Sequence, residues 1–195
     1  GQHGSVSGVR LKSGETLPAD CVILGVGMIP ATEFLRDSGL ELDQRDSSVR
    51  VNQQLETSYP GIFAAGDIAR WGDGAGTRIE HWRVAEQHGM IAARNMLGDT
   101  QDVSDYVPFF WTNQWGVTLR YVGHALKWDD LIVRGSIESG PFVAFYVLAG
   151  SLQAAVGRSA DQEMAAIEWI LRRRLSLTVE QMRDPAFSLV DYARS

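Results

Sequence analysis

Val9 and Leu11 alternate with Arg10 and Lys12, and Ser13-Gly14 follows them. Alternation closed by a Ser-Gly pair predicts a hairpin over 5–17. The period then changes. In ADCVILGVGMIPAT, Cys21 to Leu24 is a continuous apolar run, the pattern of a strand covered on both faces. Gly25-Val26-Gly27 ends it, and Pro30 bars regular continuation. Glu33 to Ser38 predicts a short helix, capped by Thr32 and stopped at Gly39. Residues 49–57, VRVNQQLET, predict an exposed strand running into the Tyr59-Pro60-Gly61 turn. Ile62 to Ala65 predicts a short buried strand, and 70–78 a glycine-rich loop. Residues 82–97, WRVAEQHGMIAARNML, have a helical period and close on Gly98-Asp99. Ala85, Gly89, Ala92, Ala93 and Met96 give that helix a small-residue stripe, suited to close packing on a sheet.

The pattern shifts again near residue 105. Strand-like segments follow one another around 117–123, 131–137, 142–148 and 152–157, with a turn at Leu148-Ala149-Gly150-Ser151. Ser159-x-x-Gln162 has the form of a capping box and opens a predicted helix over 160–174, with Met164, Ile167, Ile170 and Leu171 on its apolar side. Thr178-x-x-Gln181 opens a second helix, over 178–183, that ends before Pro185. The region after 105 therefore reads as an antiparallel sheet with helices, an α+β domain, preceded by α/β elements.

Composition narrows the class without naming it. Hydrophobic residues make up 45% and charged residues 22% of 195, ordinary for a globular chain. Arg, Asp, Glu or Gly interrupts every apolar run before it could span a membrane. The formal charge of −6 disfavours general nucleic-acid binding. Cys21 is the only cysteine, so neither an internal disulfide nor a Cys-x-x-Cys pair exists in the chain, and a cytoplasmic setting is expected. The first residues, GQHGSVSGVRLKSG, have no apolar signal core. His3, His81, His88 and His124 lack paired metal-ligand spacing, and no Gly-x-Ser-x-Gly elbow is present. Arg172-Arg173-Arg174 suits a solvated helix end.

Three segments hold candidate chemistry. In GIFAAGD the apolar run stops at Gly66-Asp67. A glycine at a strand end lets a ligand approach the backbone, and the adjacent carboxylate can accept hydroxyl hydrogen bonds; an Asx turn would use the same residues. Arg78-Ile-Glu-His-Trp82 leads directly into the long helix. A helix start offers free N–H groups and partial positive charge to an anionic ring or phosphate, and Glu80, His81 and Trp82 add a carboxylate, an imidazole and a flat ring. Each also has a plain structural use at a helix start. Pro108-Phe-Phe-Trp-Thr-Asn-Gln-Trp115 places four aromatics among polar residues without a period, which suits either core or the wall of a planar-ring site.

These motifs occur in an order that resembles the C-terminal part of the FAD-dependent pyridine-nucleotide oxidoreductases, in particular the ferredoxin-reductase and apoptosis-inducing-factor-like group. ADCVILGVGMIPAT resembles the end of that family's NAD(P)-binding domain, and TSYPGIFAAGDIA its second FAD motif. RIEHWRVAEQHGMIAARNMLG resembles the flavin-contacting helix, and VPFFWTNQWGVTLRYVG the start of its C-terminal interface domain. The resemblance implies three parts: 1–31, the end of the NAD(P)-binding domain; 32–104, the C-terminal part of the FAD-binding domain; and 105–195, the α+β interface domain.

By the same resemblance, Asp67 would hold the ribityl or phosphate region of FAD, with Gly66 giving backbone access. Glu80, His81 and Trp82 would lie beside the isoalloxazine and nicotinamide. Backbone N–H groups near Val84 and Ala85 would face the flavin N1–C2=O edge. Gly27 would line the NAD(P)H path, and Trp111 would lie against the flavin and screen it. The implied reaction is hydride transfer from NAD(P)H to FAD, with electrons passed on to an iron–sulfur acceptor such as a ferredoxin. No protein acid or base is required, so no catalytic residue is assigned. The Gly-x-Gly-x-x-Gly fingerprints of both dinucleotide sites are absent from these residues. The chain thus resembles about the last half of such an enzyme, expected to bind FAD weakly or not at all alone. The competing expectation is a non-enzymatic interaction or homodimerisation module derived from such a reductase.

Overall fold

The computed structural model describes residues 4–195, so His3 lies outside the described residues. The predicted hairpin forms from β1 (Gly8–Arg10) and β2 (Thr16–Pro18), paired antiparallel with Val9 opposite Leu17. The apolar run after it does not become a strand. Cys21 to Leu24 has no regular structure, and Ile23 and Leu24 are 92% and 78% exposed. A four-residue run becomes a strand only where neighbours take up its hydrogen bonds, and none lies beside it among the described residues. The predicted helix at Glu33 contracts to one 3-10 turn, Glu33–Leu35. Thr32 does not cap it; its hydroxyl donates instead to the Ser47 carbonyl at 2.7 Å.

A first core forms where β3 (Val49–Val51) pairs parallel with β4 (Ala69–Trp71) and α1 (Trp82–Met96) packs against them. Val49, Val51, Leu55, Ala64, Ala69, Ile91, Ala92 and Val103 fill it. The strand expected to be exposed over 49–57 is therefore shorter and buried. Asn52 stops it: its Oδ1 accepts the amides of Gln54 and Glu56 at 2.9 and 3.0 Å and turns the chain. Ile62 to Ala65 contributes a single bridge, Phe63 opposite Glu56, and Ile62 is exposed, so the buried strand expected there is not formed. The loop expected at 70–78 begins only after β4.

Helix α1 takes the expected span but not the expected face. It buries Val84, His88, Ile91 and Ala92, while Gly89, Ala93 and Met96 face outward. The two stripes have the same period; the two-stranded sheet offers surface for one, and the bulkier stripe fills it.

The second core is a five-stranded antiparallel sheet with helices on one face. Its strands are β5 (Phe109–Gln114), β6 (Val117–Gly123), β7 (Asp130–Gly135), β8 (Phe142–Leu148) and β9 (Ser151–Arg158), in the order β5-β6-β9-β8-β7. Ala149 and Gly150 both have positive φ, +48° and +76°, the geometry of the tight turn that joins β8 to β9. Helix α2 (Asp161–Arg172) buries Met164, Ile167 and Ile170 on this sheet, as its period predicts. It sits close because β9 carries Gly157: a β-carbon there would lie 2.6 Å from the Met164 sulfur. Ser159 adopts φ +51° and makes no cap bond, so the expected box at Ser159–Gln162 is absent. The box at Thr178–Gln181 does form and opens α3 (Val179–Arg183). An unexpected last helix, α4 (Leu189–Arg194), is capped by Ser188, which accepts the Asp191 amide. No helix among the described residues is long and apolar enough to cross a membrane.

Candidate functional site

The site grows from Gly66. The chain leaves the first core in a left-handed turn at this residue, φ +78°, opening the 3-10 turn Gly66–Ile68. Only glycine fits: a β-carbon would meet the Ala85 Cβ at 3.2 Å and would adopt an unfavourable φ. Two side chains then fix the main chain. Gly66 N–H donates to His88 Nδ1 at 3.3 Å, and the Asp67 carbonyl accepts from Arg78 Nη1 at 3.0 Å. The Asp67 carboxylate itself is exposed and has no hydrogen-bond or ion-pair partner among the described residues.

Arg78 is held by an ionic cluster beneath. Its Nε donates to Asp46 Oδ2 at 3.0 Å, and its Nη2 pairs with Glu80 Oε1 at 2.7 Å. Asp46 also takes Arg70 Nη2 at 2.6 Å. Asp43, whose side chain is 2% exposed, pairs with Arg45 at 2.8 Å, Arg50 at 2.9 Å and Arg70 at 3.6 Å. The Arg45 hydrogen bond, with the Arg45 and Arg70 charges, outweighs burial and holds the Asp43 carboxyl well below the usual range. Burial pushes Asp46 up, but hydrogen bonds from Ser48 and Arg70 prevail and bring it to about 2. The same arginines grip the loop that follows β4. Arg50 Nη2 donates to the Gly74 carbonyl at 2.6 Å, Arg70 Nη1 to Ala75 at 3.2 Å, and Arg45 also to Ala75. The cluster thus delivers residues 77–81 to the start of α1 in one conformation.

His81 is the N-cap of α1: its Nδ1 accepts the Arg83 amide at 3.2 Å. Burial and the Arg83 charge lower its pKa, against the opposing pull of Asp67. The neutral ring is the form that can cap. The Ala85 N–H is already bonded to the His81 carbonyl at 2.9 Å, so it does not face a ligand as the sequence led us to expect. Ala85 contributes its methyl group behind Gly66 instead. The Trp82 and Val84 N–H groups have no acceptor among the described residues.

Rings gather around this helix start because β5 is an edge strand lying beside it. Trp82 and Trp111 meet edge to face at 5.7 Å and 85°, and are 61% and 44% exposed. His81 lies 5.8 Å from Phe110 and 6.1 Å from Trp111. Arg83 lies 4.7 Å above the Phe109 ring and reaches Glu168 of α2 at 3.6 Å, tying the two cores together.

Gly66, Asp67, His81, Trp82, Val84, Ala85 and Trp111 therefore converge, and Glu80 is drawn aside to Arg78. Gly27 is not brought to this cluster by a contact: a β-carbon on it would meet nothing within 4 Å. Arg78, His88 and Phe110 were missed. His88 had a signal, since it continues the stripe Val84, His88, Ile91 that α1 buries.

His88 makes the fold sensitive to acid. Burial lowers its pKa to about 4 from 6.5. The unfolded chain therefore binds this proton first, and stability falls as pH drops from about 6.5 toward about 4. The stability contributed by Asp46 is present above its unfolded pKa of 3.8 and fades only below it. Urea midpoints measured between pH 7 and pH 4.5 are expected to decline, and His88→Gln should flatten that decline.

Comparison with known proteins supplies the class. Residues 1–89 match the pyridine nucleotide-disulphide oxidoreductase family, and residues 109–193 the reductase C-terminal family. Apoptosis-inducing factor 3 of Mus musculus is 38% identical over 87% of the chain and 28% of its own length. The biphenyl dioxygenase system ferredoxin–NAD(+) reductase component of Paraburkholderia xenovorans is 31% identical over 99% of the chain and 47% of its own. Among solved structures, a ferredoxin reductase from Rhodopseudomonas palustris superposes with a TM-score of 0.86 at 33% identity, over 99% of this chain and 48% of that one. The putidaredoxin reductase–putidaredoxin covalent complex gives 0.83 at 29% identity, over 94% and 45%. The chain thus spans between about a quarter and a half of the length of these relatives. It belongs to the pyridine nucleotide-disulphide oxidoreductases, carries their reductase C-terminal region, and is similar to part of the ferredoxin reductases.

Proposed function

We propose that this chain is the flavin-contacting C-terminal part of an oxidoreductase that takes hydride from NAD(P)H and passes electrons to a ferredoxin-type iron–sulfur protein. The observation that carries this is the Gly66-Asp67 turn: its main chain is tethered by His88 and Arg78 while its carboxylate is left free beside the exposed start of α1. FAD, when bound, supplies the hydride-accepting and electron-passing chemistry between the two partners.

The residues present fit that group. Asp67 accepts hydrogen bonds from ligand hydroxyls, and Gly66 leaves the backbone approachable. The free Trp82 and Val84 amides, at the positive end of α1, suit an anionic ring edge. Val84 adds a buried side chain that fixes this first turn. Trp82 and Trp111 offer exposed faces that pack against a planar ring and exclude water. His81 orients the first turn as its cap, Glu80, held by Arg78, would reach the nicotinamide only by leaving that ion pair, and Gly27 would lie on the nicotinamide path. The division at 31/32 and 104/105 is part of the same reading, and a boundary in the region of the latter is supported by the two separate cores, one reaching Tyr106 and the other beginning at Val107. A cytoplasmic setting also belongs to this reading, from the single cysteine.

The test is Asp67→Asn in the full-length protein. Loss of a charge-assisted acceptor is expected to weaken FAD binding about ten- to a hundredfold, read by flavin fluorescence, with the circular dichroism spectrum unchanged. The 195-residue chain alone is expected to retain no stoichiometric flavin. Unaltered FAD affinity in the Asn variant would overturn the reading.

A further inference from the structure

The buried groups of the first core all find partners except one. His88 is 2% exposed, and its Nε2 is the one buried side-chain nitrogen or oxygen among the described residues without a hydrogen-bond partner. A buried N–H left unpaired costs about 1–3 kcal/mol, so an apolar side chain of similar size would serve packing better. The histidine must therefore contribute something through its other nitrogen.

That nitrogen accepts the Gly66 N–H. In a left-handed turn this amide points into the core and away from any strand, so it needs an acceptor from the packed helix. Because Nδ1 accepts, the proton resides on Nε2. The ring then meets Trp71 edge to face, at 4.9 Å and 84°. Burial keeps the ring neutral; a protonated ring would turn a second donor toward the Gly66 amide.

We propose that His88 is a positioning residue for Asp67: by holding the Gly66 amide from the middle of α1, it sets the direction in which the Asp67 carboxylate leaves the turn toward its ligand. The inference rests on the reading of Asp67 as an acceptor for flavin hydroxyls. Arg78 restrains the carbonyl side of Asp67, and His88 restrains the amide side of Gly66. With both restraints present, only the Asp67 side-chain torsions are left to the ligand. Without His88, glycine is the residue with the widest choice of φ and ψ, and the carboxylate swings with it.

A double-mutant cycle on the full-length holoprotein tests this, with FAD affinity as the readout and His88→Leu, His88→Gln, Asp67→Asn and the Leu/Asn pair as variants. Gln can present an acceptor to the Gly66 amide, and Leu cannot. His88→Leu is expected to weaken FAD binding about tenfold, and His88→Gln to stay within about threefold of wild type. In the Asp67→Asn background, His88→Leu should add less than about a factor of two, because the two residues act through one group. Equal costs of His88→Leu with and without Asp67, or a Gln variant as weak as Leu, would overturn the proposal while leaving the flavin reading intact. An Asp67→Asn variant with wild-type affinity would instead remove the flavin reading and this inference with it. Should His88→Leu fail to fold, the Gln arm and the imidazole 15N shifts of the wild-type chain decide: an Nδ1–H tautomer for His88 would overturn the proposal.

Discussion

Asp43→Ala is expected to destabilise the chain by about 3 kcal/mol, read as a lower urea midpoint at unchanged slope. Asp43 is the shared counter-charge of Arg45, Arg50 and Arg70, and its side chain is 2% exposed. Removing it leaves Arg70, itself almost buried, with Asp46 as its remaining counter-charge. Three guanidinium groups then share fewer carboxylates in a partly buried cluster, and that cost exceeds the loss of a surface pair, which is worth less than about 1 kcal/mol. The damage should also travel. Arg50 and Arg70 hold the carbonyls of Gly74 and Ala75, and that loop fixes the approach to His81. FAD affinity of the full-length variant should therefore fall along with stability. A loss under about 1 kcal/mol would show that water, and not Asp43, satisfies these arginines. Since Arg45 and Arg70 hold the Asp43 pKa down, its contribution is fully present above pH 3.8 and is lost as pH falls through the lowered value.

How much of this was legible beforehand depends on whether the deciding contact was local. The long helix was readable because its period and its Gly98 stop lie within the segment. The strands β6 and β8 emerged with the expected bounds because alternation and the Ala149-Gly150 turn are local too. The run Cys21–Leu24 was misread because hydrophobicity specifies a wish for neighbours and cannot supply them. The outward face of α1 was misread for a related reason. Gly89, Ala93 and Met96 form as regular a stripe as the one that is buried, and only the number of strands on hand separates the two.

The candidate site divides in the same way. Asp67, His81 and Trp82 drew attention as residue types at a strand end and a helix start, and their convergence with Trp111 was expected only through the family resemblance. The bonds that hold them were not readable from local pattern. Gly66 and His88 are 22 positions apart, and Asp67 and Arg78 are 11 apart, so no local pattern announces either bond. The ionic cluster was missed for the same reason, since Arg78 and Asp46 are separated by 32 residues.

The second large effect lies in the other core. Phe145→Ala is expected to cost about 3–5 kcal/mol, because the ring is fully buried in the most enclosed strand of the sheet. Its register neighbours are Ile132 on β7 and Ala155 on β9, and neither can swing into the space it leaves. The ring also supports a charge: the Arg134 guanidinium stands 5.4 Å above it. From there Arg134 donates to the carbonyls of Met182 at 2.7 Å and Phe187 at 3.1 Å, and to that of Gln181. These three carbonyls lie within and just after α3, so the ring indirectly holds that helix against the sheet edge. Phe145→Leu keeps most of the apolar volume and should cost about 1–2 kcal/mol. Urea denaturation of the two variants separates the contributions. If the ring acts only by filling space, the cost should scale with the volume removed and amide exchange in 179–183 should stay unchanged in both. If it also seats Arg134, the Ala variant should lose exchange protection in α3 first, before the strands β6 and β9 do.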